Sequence, residues 1–118
     1  FTKEESYMDK NQVSELLIRI GANPSYRGFP YLTHIICRAS SEGSEPFLTS
    51  KVLYRDAAEY FHVSPDSIQH SIRTLLNAYW AQDNGKYFCH ITGYPNSGPL
   101  PPKEFIAVLA DYLQRNPQ

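Results

Sequence analysis

Apolar residues recur at helical spacing along most of the chain. Val13, Leu16, Leu17 and Ile20 fall on one helix face, and Gly21 stops that helix. The turn "ANPSYRG" leads to a second helix, in which Pro30 suits the first position. Tyr31, Ile35 and Ile36 give that helix its inward face, and it ends near Ser40. "SSEGSEP" reads as a loop, and a short third helix is expected around Tyr54 to Phe61, with Ala57, Ala58 and Phe61 inward. A fourth helix fills "SPDSIQHSIRTLLNAYW", Ser64 to Trp80, and "AQDNGK" ends it. "YFCHITGY" is too short and too aromatic for periodicity to decide between a short helix and a buried strand. "PNSGPLPP" reads as a stiff loop lying over a surface. Lys103 to Arg115 closes the chain as a helix burying Phe105, Ile106, Leu109, Tyr112 and Leu113. With no repeats, low-complexity tracts or sustained period-2 runs, the expected fold is mostly α, in one domain over 10–118. Residues 1–9 are expected to be a disordered end segment.

Composition bounds the reading without sharpening it. A chain of 118 residues, 42% hydrophobic and 14% aromatic, can bury a core without disulfides or metal. Its apolar runs are far too short to span a membrane, so no membrane partner is expected. The start at Phe1 rather than Met suggests a piece of a larger protein. Cys37 and Cys89 are too few for a disulfide scaffold. Without a signal-peptide pattern they read as reduced thiols in a cytoplasmic protein. The net charge of −1 argues mildly against nucleic acid. Its distribution weakens that argument. The acidic excess sits before Lys10 and at Glu42 and Glu45, while Lys10 to Ser40 carries Lys10, Arg19, Arg27 and Arg38 against Glu15 alone.

The start of the fourth helix is strongly marked. Ser64 can accept a bond from an orphan backbone N–H, Pro65 fits the first helical position, and Asp66 favours the positive end of the helix dipole. Val63 and Ile68 are spaced for a hydrophobic staple. The third and fourth helices together, about 54–80, have the layout of a helix-turn-helix. Ala58 is small where the second helix crosses. His62 stands where the turn needs positive φ, a region in which histidine is enriched among non-glycine residues. Val63 is the buried aliphatic, and Ile68, five residues on, locks the second helix.

At 100° per residue, Ile68, Ile72, Leu75, Leu76 and Tyr79 share one side of the fourth helix. Asp66, His70, Arg73 and Asn77 share the other, with Ser67 and Thr74 on one flank and Gln69 on the opposite edge. Gln can read adenine, Arg can read guanine or grip phosphate, and hydroxyls can do either. An amphipathic surface helix also turns polar residues outward; the turn chemistry before it favours DNA. Lys51 and Arg55, at the start of the third helix, and Lys103, at the start of the last, are candidate phosphate contacts. Solvated surface charge is the equal alternative for each. Tyr54 is expected to be packed.

Other chemistries find little support. His34 and Cys37 lie one turn apart and Cys89 adjoins His90, but neither pair has zinc-site spacing, and both cysteines fall in apolar stretches. No nucleophile elbow, phosphate-cradling glycine loop or recognisable Cys/His setting is present, so neither an enzyme nor a cofactor is expected.

"KVLYRDAAEYF", the "SIR" to "YW" spacing and "KEFIAVLADYL" resemble one family, the C-terminal effector domain of the sporulation master response regulator of endospore-forming bacteria. "ELLIRIGANPSYRGFPYL" is similar to that domain's first helix and the glycine-marked start of its second, and "TGYPNSGPLPP" to the loop before its last helix. The likeness runs from about Asn11 to Leu113, and the chain is identified as a divergent member. The resemblance implies an all-α, six-helix domain that puts its fourth helix in the major groove of a promoter element. It also implies adjacent copies on tandem sites, contact with the polymerase sigma factor, and control by phosphorylation of an upstream receiver domain in a two-component phosphorelay. No receiver is present in this chain. The departures are concentrated on the fourth helix. The family's base-reading Arg falls at His70, an acidic residue beside it at Gln69, and another Arg at Ser67; Arg73 alone stays basic. Two readings therefore stand: a DNA-binding transcription regulator, and a protein-interaction module that keeps the fold without the DNA.

Overall fold

The apolar positions gather on six helices in a computed structural model that describes residues 10–40, 50–83, 85–95 and 99–115. They are α1 (Lys10–Ile20), α2 (Gly28–Ala39), α3 (Ser50–Phe61), α4 (Pro65–Asp83), α5 (Lys86–Thr92) and α6 (Pro102–Arg115). Among the described residues there is no strand, and the all-α expectation is met. The expected end segment 1–9, the loop at 41–49 and residues 96–98 of "PNSGPLPP" lie outside the described residues.

α2 is the central post. It packs against α1, α3, α4 and α6, which is why nearly every side chain from Phe29 to Cys37 is buried. α1 lays Val13, Leu16, Leu17 and Ile20 on it, as their spacing requires. Gly21, at φ 113, then turns the chain, and the Ala22 N–H reaches back to the Leu17 carbonyl at 2.9 Å. Phe88, Phe105, Tyr79 and Trp80 form a second aromatic centre, with Phe88 stacked on Phe105 at 4.9 Å between centroids.

Several boundaries differ from the sequence reading. α2 starts at Gly28, so Pro30 is its third residue rather than its first. The first four N–H groups of a helix have no intrahelical acceptor, so a proline costs no bond at that position either. α3 begins at Ser50, a turn earlier than expected, and this buries Leu53 and Tyr54. α4 continues to Asp83, into "AQDNGK". "YFCHITGY" resolves as a helix, with Phe88 inward and Tyr87 exposed. Tyr112 is only half-buried, because the inward stripe of α6 runs through Phe105, Ile106, Leu109, Ala110 and Leu113. Phe61 is likewise half-buried, its ring edge against Tyr31 at 4.9 Å.

Candidate nucleic-acid interface

The join between α3 and α4 is made as the residues demand. His62 takes φ 60, the one positive value at a non-glycine residue among those described. That turn lets the Val63 N–H bond the Ala58 carbonyl at 3.0 Å, and three residues separate α3 from α4. Ser64 Oγ then accepts the Ser67 N–H at 3.1 Å, a side-chain cap on the third helical residue, and donates to Ser67 Oγ at 3.2 Å. Pro65 opens the helix and Asp66 stands in its first turn. Ala58 is buried on α3. Val63 packs half-buried against the core that Ile68 enters. The whole turn thus fixes where α4 begins and which way it points.

α4 is sealed on one side and open on the other. Ile68, Ile72, Leu75, Leu76 and Tyr79 are each at most 3% exposed. Asp66, Ser67, His70, Arg73, Thr74 and Asn77 are exposed, while Gln69 is half-buried at the margin. The inner side is pressed close. A Cβ on Gly28 of α2 would come within 2.7 Å of the Ser71 carbonyl carbon of α4, so the two backbones meet with no side chain between them.

Lys51 and Arg55 are exposed one turn apart on α3. Tyr54, between them, is buried as expected, and burial pushes its phenol above the ordinary value while the nearby Arg73 guanidinium pulls it back. Arg73 of α4 therefore lies within electrostatic reach of Tyr54 of α3. Lys103 is exposed in the first turn of α6.

The residues weighed as metal ligands sit in different settings. His34 is buried on α2 with Nε2 3.0 Å from Asp56 Oδ2. Cys37 is buried three residues on, and Cys89 lies on α5, where burial pushes its thiol up and away from the thiolate a metal prefers. Among the described residues no three His, Cys, Asp or Glu side chains gather as a metal site, and no helix is long and apolar enough to cross a membrane. Sequence reasoning did not anticipate the Asp56 clamp, in which His34 and Arg38 of α2 share one α3 carboxylate. An Asp amid other charges carries no local signal of a distant partner.

Residues 13–113, from the first buried side chain of α1 to the last of α6, match the family model described as Sporulation initiation factor Spo0A C terminal. It is a family of DNA-binding, transcription-regulating domains of sporulation and not a family of enzymes. With the match covering most of the chain, and with the helix-turn-helix formed within it, the protein belongs to the Spo0A C-terminal domain family.

Proposed function

We propose that this domain reads a promoter element by laying the outward face of α4 in the major groove of double-stranded DNA. One observation carries the reading. Ser67, His70, Arg73, Thr74 and Asn77 stand exposed together on a helix whose other side is locked into the core. A major groove admits one α-helix, and those side chains can bond base edges. Arg73 takes a guanine or a phosphate, His70 occupies the family's base-reading position, and Asn77 offers an amide. Ser67 and Thr74 supply hydroxyls for phosphate or base. Gln69, at the half-buried margin, reaches adenine only from the edge of the groove. Lys51 and Arg55 flank the helix as phosphate contacts, and Lys103 is a more distant one. The family resemblance further supports a sigma-factor contact and adjacent copies on tandem sites.

A protein-interaction module is the second reading. What favours it is the charge of the exposed face, where Arg73 is accompanied by Asp66. Fluorescence anisotropy with a family-type promoter duplex at several salt concentrations separates the two. Phosphate contacts require affinity to fall by roughly 0.9 log units per log unit of salt for each phosphate neutralised. An absence of binding at low salt would leave the interaction module.

A further inference from the structure

Lys10, Tyr60, His34 and Asp56 form a continuous run of contacts across three helices. Lys10 Nζ, at the first residue of α1, donates to Tyr60 Oη at 3.1 Å and lies 4.3 Å from the centre of that ring. The Tyr60 ring stacks on His34 of α2, with centroids 4.4 Å apart and 26° between planes. His34 Nε2 in turn meets Asp56 Oδ2 of α3 at 3.0 Å, and Arg38 Nε donates to the same oxygen at 3.2 Å. His34 is 6% exposed and Tyr60 is 57% exposed, so a buried titratable ring lies one aromatic layer from solvent.

The proton inventory of this cluster is constrained. An ionised carboxylate only accepts, so the neutral His34 ring must donate from Nε2. Its Nδ1 is buried and finds no partner among the described residues. A second proton there would create an imidazolium against the face of Tyr60. Around the ring, α1 contributes Lys10, α2 contributes Arg38, and α3 contributes Asp56 and Tyr60; among the described residues α4 and α6 bring no charge to bear on it. Burial is the main opposition to protonation and holds the imidazole below its ordinary value. Lys10 and Arg38 act the same way and Asp56 acts against them.

We infer that His34 is a proton-operated joint between α1 and α3, which holds Lys10 on Tyr60 while neutral and releases it when protonated. A cation over an aromatic ring is held by the negative face of the π system. An imidazolium stacked on the same ring competes for that density and repels the ammonium. The bond from His34 to Asp56 meanwhile becomes charge-assisted and strengthens. Acid therefore moves the tether of α3 from α1 to α2 and leaves α3 in place. The first turn of α1 is freed from the helix-turn-helix without the helix-turn-helix being loosened.

NMR titration of the whole chain from pH 8 to 5 tests this directly and needs no DNA. The Lys10 methylene signals should carry an upfield ring-current shift above the His34 inflection and lose it through that same inflection. Lys10→Met, at an exposed site that should tolerate the change, removes a cation and should move the His34 inflection up in pH. Asp56→Asn should move it down. Lys10 signals that stay fixed while His34 titrates would overturn the joint, as would an unchanged inflection in Lys10→Met.

Discussion

Gly28 of α2 meets Ser71 of α4 with no room for a side chain, since a Cβ would sit 2.7 Å from the Ser71 carbonyl carbon and 3.1 Å from the Ile72 Cα. Both neighbours are helix backbone and cannot swing aside as a flexible side chain would. Gly28→Ala must push α4 away from the central helix or shift the start of α2. Overpacking of this kind typically costs about 1–3 kcal/mol. The urea midpoint should fall accordingly with an unchanged slope, followed through the fluorescence of Trp80, the single tryptophan of the chain and a buried one. A wild-type midpoint would mean that the two helices are not in contact there.

The Ser64 cap is a separable contribution. Ser64→Ala removes the acceptor of the Ser67 N–H and should cost about 1 kcal/mol, whereas Ser64→Gly should cost only a few tenths. The same denaturation measurement distinguishes them. Equal losses in the two variants would show that the side-chain oxygen is not what stabilises this end of α4.

These two residues also show what a sequence reveals and what it hides. The cap, the turn and the inward stripe of α4 were legible because each is a local rule. A hydroxyl precedes a helix, a histidine stands where φ must be positive, and apolar residues repeat with the helix. The φ of 60 at His62 and the cap at Ser64 are both as expected. Gly28 was visible only as a mark in the family pattern, because its reason is a backbone 43 residues away in sequence. The His34–Asp56 pair, 22 residues apart, was hidden for the same reason. The short α5 escaped periodicity because seven residues supply a single buried position, Phe88. On the candidate site, the sequence separated inner from outer residues on α4, yet it could not show that Arg73 lies beside Tyr54 of α3.

His34 gives stability a pH dependence of definite sign. Its folded pKa is lowered, chiefly by burial, so in acid the unfolded state binds the proton first. Its contribution is complete above the unfolded value of about 6.5 and declines as pH falls below that point. The decline ends once pH drops through the folded value. His34→Gln, which keeps a donor for Asp56 but does not titrate, should flatten that part of the stability curve. Urea midpoints taken between about pH 7.5 and 5 provide the comparison. A wild-type curve that is flat there, or rises toward acid, would contradict the burial argument.

Arg73 and His70 test the outward face itself. If Arg73 grips phosphate, Arg73→Ala should weaken binding to all duplexes alike and flatten the salt slope by about one. If it reads guanine, the loss should fall mainly on the preferred site. His70→Arg puts an arginine where the family resemblance places a base-reading one, and should bind the family-type duplex at least as tightly as the wild type and with a steeper salt dependence. A His70→Arg variant with the wild-type affinity and salt slope for every duplex would remove His70 from the interface, and an Arg73→Ala variant binding every duplex normally would remove α4.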